Sequence, residues 1–478
     1  MTARCTDEGT PNLTDAPLRN SSVGGSPMGT SSVGDSPEAA AAYDAVPAVS
    51  ADEESTPLTI VIGADTFAPE INGSATFSAS LAGGLARRGH TVHVVAPAAG
   101  KHESGIFQEE HGGETITVHR LHSWRYRPHP WLRFALPWRI QANASHILDS
   151  VKPDVVHFQS NIVIGRGLSK QALKRKIRLI ATNHVMPENL LEFSLVPRFA
   201  FGMVVRWLWW DANHIYSRAE AMTSPTRRAA DLVEANTKIR GVLAISCGLD
   251  SSNYMPDFTP RKENLIVFVG RVTTEKQIDK LIKAFALLDP SLNARLEIVG
   301  GGELEDELKH LAEQLGVADR VKFDSYVTTE FLRSSLTRAT VFAMPSIAEL
   351  QSIATMEALA SGLPVVAANA MALPHLVHDG QNGYLFEPGD VEAFATRLTD
   401  VLTMPEGELQ AFKHESLKIV EAHDINRTIS TFEELYRGHK VIEPLIEESL
   451  PFHVIIRERI ARRARSARNT LLGSPNGQ

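Results

Sequence analysis

Two glutamates separated by seven residues, Glu349 and Glu357, stand in the run Pro345-Ser346-Ile347-Ala348-Glu349-Leu350-Gln351-Ser352-Ile353-Ala354-Thr355-Met356-Glu357. The apolar segment 341–344 reads as a strand ending at Pro345. A helix is expected to begin near Gln351 or Ser352 and to stop at Gly362-Leu363-Pro364, where Gly suits a C-cap and Pro cannot continue. Glu349 then lies just ahead of a helix amino terminus and Glu357 about a turn and a half inside it. Free backbone N–H groups and a positive dipole end make a helix start a site for phosphate. A carboxylate on either side can hold hydroxyls. The same residues also fit a plainer role, Glu349 capping the helix and Glu357 facing solvent.

A second constellation is Gly270-Arg271-Val272-Thr273-Thr274-Glu275-Lys276, which follows an apolar strand at 265–269. Two cations at the carboxyl end of a strand suit a diphosphate, because fixed positive charge neutralises a leaving group. They are also common surface residues of a strand-to-helix loop. Nearer the amino terminus, Phe67-Ala68-Pro69-Glu70-Ile71-Asn72-Gly73 joins the first strand to a helix, and Gly73 permits close approach of backbone to a ligand or simply makes a tight turn. His184, in Thr182-Asn183-His184-Val185-Met186-Pro187-Glu188-Asn189, follows another strand and can donate to a sugar or phosphate oxygen, although a lone histidine is commonly structural. Gly300-Gly301-Gly302 lacks the third glycine of a dinucleotide fingerprint.

The elements that must position these residues alternate in kind. Strand-like runs at 58–62, 91–96, 115–121, 154–158, 178–182, 221–224 and 242–246 are mostly separated by helical stretches, such as 75–88, 140–150 and 227–235. A second series runs through 265–269, 295–299, 321–326, 341–344, 364–367 and 383–386. The expected fold is therefore α/β, with two Rossmann-like doubly wound domains facing a cleft where ligands bind. The expected organisation is a disordered tail over 1–56, a first domain over 57–250, a linker over 251–263, a second domain over 264–435 and an extension over 436–478.

The whole chain has 478 residues and a formal charge of −8, with ordinary apolar and charged fractions of 43% and 22%. Residues 1–56 carry nine acids and two bases, so the remainder is close to neutral, which disfavours a nucleic-acid binder. That tail is rich in Ser, Gly, Pro and Ala and offers few large apolar residues to offset the entropy of ordering. Two cysteines, Cys5 and Cys247, exclude a disulfide framework or a Cys-rich zinc site. Met1-Thr2-Ala3-Arg4 leads into Asp, Glu, Pro and Ser, so no signal peptide is expected. No window reaches the ~18–20 uncharged apolar residues of a membrane span. The nearest, 199–210, contains Arg206.

Taken together, these motifs resemble those of the family 4 retaining GT-B glycosyltransferases over roughly residues 57–435. Glu349 and Glu357 match the family's E-x7-E pair, Gly270-Arg271 with Lys276 its G-R-x4-K loop, and Gly73 and His184 its amino-terminal glycine and cleft histidine. The stretches 182–189 and 349–353 are most similar to the lipid-directed branch, which contains diacylglycerol glucosyltransferases and actinobacterial glycolipid mannosyltransferases. One departure is Leu350-Gln351-Ser352 where many members read G-F-G.

The resemblance implies a nucleotide-diphosphate sugar, UDP-glucose or GDP-mannose, as donor. Arg271 and Lys276 would meet its diphosphate, Glu357 its ribose and Glu349 its sugar hydroxyls. Backbone N–H groups at Gln351, Ser352 and Ile353 would hold phosphate or sugar, Gly270 and Gly73 would let backbone approach, and His184 would reach across the cleft. It implies no cofactor and no obligatory metal, and no D-x-D stands where a metal site would need it. The acceptor would be diacylglycerol or a glycolipid.

Two stretches fit that acceptor. Residues 124–139 interleave aromatics, including Trp124 and Trp131, with four arginines, including Arg127 and Arg133. Residues 455–472 carry six arginines, Arg462 and Arg463 among them, against the single acid Glu458. Basic amphipathic segments with aromatic anchors suit an anionic membrane surface, so the expected location is cytoplasmic, peripheral to the inner face of the cell membrane. An ordinary packed loop and a solvated tail also fit these stretches. The alternatives are a GT-B enzyme with a soluble acceptor, such as a sugar phosphate, and a non-catalytic nucleotide-binding protein. Convergence of Arg271, Lys276, Glu349 and Glu357 on one face would speak against the latter.

Overall fold

A computed structural model describes residues 56–70, 72–100, 103–125, 133–188, 197–325 and 327–443. The first series of elements is β1 (Thr59–Gly63), α1 (Gly73–Arg87), β2 (Thr91–Pro97), β3 (Gly105–His111), β4 (Glu114–Leu121), β5 (Ser123–Arg125), β6 (Arg133–Ala135), α2 (Ile140–Val151), β7 (Val155–Phe158), α3 (Ile164–Arg175), β8 (Arg178–Thr182), α4 (Phe201–Tyr216), β9 (Ala221–Ser224), α5 (Arg227–Asn236) and β10 (Leu243–Ala244). Among the described residues these strands build an eight-stranded sheet in the order β10-β9-β8-β7-β1-β2-β4-β3, with β5 and β6 as a separate ribbon. All pairs in the large sheet are parallel except β3 with β4. Ile60, Val61 and Ile62 in its centre are fully buried, as expected of a strand covered on both faces.

The second series is β11 (Leu265–Val269), α6 (Ile278–Ala286), β12 (Arg295–Val299), α7 (Glu305–Gln314), β13 (Val321–Asp324), α8 (Thr329–Arg338), β14 (Val341–Met344), α9 (Ile353–Ala360), β15 (Val365–Ala368), α10 (Leu373–Leu376), β16 (Gly383–Phe386), α11 (Val391–Leu402), α12 (Glu406–Glu421) and α13 (Ile425–Arg437). Its sheet is wholly parallel, in the order β13-β12-β11-β14-β15-β16. Two doubly wound parallel sheets make up the α/β architecture that the alternation of strands and helices implies.

In each sheet the chain reverses its direction of travel once, between β1 and β7 in the first and between β11 and β14 in the second. Loops diverge at such a switch point and open a crevice at the carboxyl ends of the strands. Residues 270–277 follow β11 and residues 345–352 follow β14, so the two richest motifs are neighbours because of strand order alone.

Two features differ from the sequence reading. The edge strand β3 is antiparallel and mostly exposed, with no apolar run to announce it. Residues 199–210, the most apolar window, run from a 3-10 turn (Arg198–Ala200) into α4, and no helix among the described residues is long and apolar enough to cross a membrane. The boundary expected at residue 435 also falls elsewhere, because α13 packs on the first sheet. Its Ile429, Phe432, Leu435 and Tyr436 join the core of Ile60, Ile62, Phe77, Leu81 and Val94. Tyr436 Oη and His157 Nδ1 are 2.7 Å apart, and His90 Nε2 and Glu433 Oε1 are 2.8 Å apart. The chain thus crosses between sheets twice, and the crossings are zipped together: Leu249 N donates to His423 O at 2.7 Å and Ile425 N to Leu249 O at 3.1 Å.

Candidate active site

Lys276 ends a short 3-10 turn, Thr274–Lys276, and is followed by Gln277 at a left-handed φ of 53°. The turn is held to the next motif by backbone: Ile347 N donates to Glu275 O at 3.1 Å. This brings the Lys276 ammonium into a direct ion pair with the Glu349 carboxylate, both side chains being largely buried. Arg271 pairs with Glu275 Oε1 at 3.4 Å. The two motif cations therefore stand on one strand-end face with the first glutamate of the pair.

Gly270 has a φ of 154°, a conformation that favours glycine, and its N–H donates to Val299 O at 3.0 Å. Gly300 and Gly302 of the 300–302 run pack against the same loop. A Cβ on Gly302 would lie 2.1 Å from Val272 O, and one on Gly300 would lie 2.1 Å from Gly270 O. Their absent side chains let the 270–272 segment lie flat against β12, a packing role unrelated to dinucleotide binding.

The helix after Glu349 starts at Ile353, just past the expected Gln351 or Ser352. Ser352 is the N-cap: its hydroxyl accepts from Thr355 N at 3.3 Å and from Thr355 Oγ1 at 2.8 Å. The Gln351 side chain turns away, its Oε1 accepting from Cys247 N and its Nε2 donating to Ser246 Oγ, each at 2.8 Å. Gln351 therefore ties the motif loop to the first crossing of the chain. That role was invisible in the sequence, since its partners lie more than a hundred residues away.

Gly73 opens α1, which is capped by Asn72 Oδ1 accepting from Ala75 N at 2.9 Å. A Cβ on Gly73 would meet only Ile353 Cδ1, at 3.7 Å. The starts of α1 and α9 thus face each other from the two domains. Neither helix carries an acid in its first turn, so both positive dipole ends reach the same gap unopposed. Thr226 Oγ1, donating to Leu350 O at 2.8 Å, is a further contact from the first domain to this loop.

His184 follows β8, half-buried, with its ring 5.1 Å from that of Phe77 on α1. Its Nε2 is 2.9 Å from Gln159 Oε1, which accepts the ring proton and leaves Nδ1 as an acceptor. Burial pulls its pKa down to about 3, so the ring is neutral near pH 7.

Glu357 lies partly buried on α9. Its Oε1 accepts from Tyr254 Oη at 2.8 Å, and burial raises its pKa, opposed by that hydrogen bond and by Arg333. The Arg333 guanidinium sits over the Tyr254 ring at 5.4 Å. Tyr254 belongs to the segment read as a linker, and only its aromatic type could have singled it out. Glu70 also escaped notice: its Oε2 is buried without a hydrogen-bond partner, and burial raises its pKa to about 7 against the pull of Arg120 and Arg133.

Of the residues expected to face a membrane, Trp124 is 48% exposed on the β5–β6 ribbon. Arg133 is half-buried and donates through Nε to Ser123 Oγ at 2.8 Å. Arg127, Trp131, Arg462 and Arg463 lie outside the described residues. Among the described residues no group of three or more His, Cys, Asp or Glu is arranged to hold a metal ion.

Comparison with known proteins adds to this geometry. The family description "Glycosyltransferase Family 4" matches residues 71–253, and "Glycosyl transferases group 1" matches residues 254–416. The chain is 27% identical to a sulfoquinovosyl transferase of Arabidopsis thaliana, over 62% of this chain but only 58% of that protein. It is 26% identical to a GDP-mannose-dependent alpha-mannosyltransferase of Mycolicibacterium smegmatis, over 72% of this chain and 88% of that one. A D-inositol 3-phosphate glycosyltransferase of Rhodococcus jostii is 28% identical, over 70% and 69%. Among solved structures, sucrose-phosphate synthase from Thermosynechococcus elongatus superposes with a TM-score of 0.66 at 17% identity, covering 80% of this chain and 98% of that chain. Anabaena HepE, in complex with UDP and glucose, superposes at 0.62 and 16%, covering 80% and 100%. At such identities these structures speak to the fold, which is the same two-domain α/β architecture.

Proposed function

The chain belongs to the family 4 GT-B glycosyltransferases, and from that premise we propose that it moves a hexose, glucose or mannose, from a nucleotide-diphosphate sugar to a lipid acceptor with retention of anomeric configuration. The observation that carries the reading is the Lys276–Glu349 pair at the strand switch point, next to two helix starts that face each other from opposite domains.

In this reading the diphosphate meets Arg271, Lys276 and the backbone N–H groups at the start of α9. These charges stabilise the leaving group as the anomeric carbon–oxygen bond breaks. Glu349 holds sugar hydroxyls and exchanges part of its bond with Lys276 for them, and Glu357 takes the ribose. His184, neutral and with Nδ1 left to accept, orients a sugar or acceptor hydroxyl from the first domain. The acceptor oxygen bonds to the anomeric carbon on the face the phosphate leaves, and the acceptor proton passes to the departing phosphate oxygen. Nothing in this sequence of steps calls on a cofactor. Turnover in the presence of a chelator tests that.

A lipid acceptor, reached by peripheral association with the inner face of the cell membrane, is supported by the exposed Trp124 and by the likeness of stretches 182–189 and 349–353 to lipid-directed members. A soluble acceptor is the second reading, favoured by the inositol phosphate glycosyltransferase among the relatives. The test supplies UDP-glucose or GDP-mannose with vesicles containing diacylglycerol and, separately, with inositol phosphate. Lipid-borne sugar from one donor, lost in Glu349→Ala and Lys276→Ala, supports the first reading. Sugar on the soluble acceptor alone replaces it with the second, and absence of binding to any nucleotide sugar would remove both.

A further inference from the structure

We propose that the outer face of α4, together with the basic side of α3, is a docking surface for an anionic lipid bilayer. Phe199, Met203, Trp207 and Trp210 are 92%, 64%, 57% and 64% exposed. Their spacing of four, four and three sets them in one row along α4 and the turn that precedes it. Arg206 and His214 are exposed on the same stripe, and the His214 ring stacks on Trp210. The opposite side of the helix, through Trp209, Ala212, Ile215 and Tyr216, is already packed in the core of the first domain. A helix that is apolar on both sides and covered on one has a second medium to meet.

Charge decides which medium. The exposed stripe contains no acid. Asp211, the only acid of α4, is buried and paired with Arg166 of α3, with Arg166 Nη1 and Asp211 Oδ1 at 2.9 Å. Helix α3 and the residue after it carry Arg166, Lys170, Lys174, Arg175 and Lys176 and no acid, with Lys170, Lys174 and Leu173 exposed. Aromatic residues that sit at a headgroup boundary, flanked by cations, match an anionic lipid surface. Arg166 is paired with Asp211 and Arg175 with Asp149, and Arg206, Lys170, Lys174 and Lys176 leave the surface with an excess of positive charge.

The surface is also connected to the site. Trp209 Nε1 donates to Glu188 Oε1 at 3.2 Å, and Tyr216 Oη donates to Asn183 Oδ1 at 3.0 Å, so α4 holds both ends of the loop that carries His184. A bilayer seated on α4 lies beside the acceptor side of the cleft. This deepens the lipid-acceptor reading and rests on it for its purpose, but not for its test.

The test is co-sedimentation of the full chain with phosphatidylcholine vesicles, with and without phosphatidylglycerol, at low and high salt. Wild type is expected to bind the phosphatidylglycerol vesicles in a salt-sensitive way. W207S/W210S and, on the other helix, K170E/K174E should each bind roughly tenfold more weakly or worse while melting as wild type does. Wild-type binding by both variants, or none by wild type, overturns the proposal. So does a dimer that W207S/W210S splits with vesicle binding unchanged, which would make the face a contact between copies. If W207S/W210S does not fold, K170E/K174E decides alone. Vesicle binding without sugar transfer to lipid counts against the acceptor reading and leaves the docking surface standing.

Discussion

Tyr254 donates its phenolic hydrogen to Glu357 at 2.8 Å, so a residue on the segment between the domains holds the second glutamate of the motif pair. Removing the hydroxyl in Tyr254→Phe leaves a largely buried carboxylate short of one donor and pushes its pKa further up. A hydrogen bond to a charged group contributes about 1.5–3 kcal/mol. The expected outcome is a donor KM raised roughly fivefold to tenfold with a smaller change in kcat, read from initial rates over a range of nucleotide sugar. An unchanged KM would make Tyr254 a packing residue only.

Lys276 and Glu349 should separate stability from activity. Lys276→Met leaves the Glu349 carboxylate buried and unpaired and should cost about 2–4 kcal/mol of unfolding free energy. Adding Glu349→Gln should recover most of that loss in a denaturant titration. Transfer should stay absent in the double variant, because the proposed mode of donor binding uses both charges.

Two glycines should behave in opposite ways. Gly302→Ala puts a Cβ 2.1 Å from the Val272 carbonyl oxygen, a clash with backbone that must move β11's loop, so poor folding is expected in a thermal melt. Gly73→Ala meets only a methyl at 3.7 Å and should hold or raise stability by up to about 1 kcal/mol through helix propensity. If the gap at Gly73 receives a ligand, the same methyl lowers kcat/KM at least roughly tenfold without touching the fold.

The pH dependence of stability carries two opposite signs. His157, His184 and His423 have pKa values drawn down to about 3 by burial, below the ordinary 6.5. Their contribution is whole above pH 6.5 and is lost as pH falls, by up to about 1.4 kcal/mol per pH unit for each ring. Glu70 has a pKa raised to about 7, so its contribution is whole below pH 4.5 and lost as pH rises through 7. Glu70→Gln should therefore gain about 1–2 kcal/mol over wild type at pH 8 and little at pH 5, measured by urea unfolding at both values.

Much of the fold was legible because parallel sheets buried on both faces are written as unbroken apolar runs. The central strands β1, β11 and β14 carry such runs, and strand order then brought Arg271, Lys276 and Glu349 together with no further information. Strand β3 was missed because its side chains face water and leave no such run. Residues whose partners are distant were also missed. The Gln351 amide reads as a loop residue until Ser246 and Cys247 are beside it, and α13 follows the second domain in sequence while its apolar stripe fits the first.

The position of α13 has a consequence for synthesis. The side of the first sheet that holds Ile60, Phe77 and Val94 cannot be fully covered until Phe432 and Tyr436 have left the ribosome, after every strand of the second sheet. A nascent chain of this protein must carry an incompletely covered apolar face through most of its translation, and its first domain is finished last.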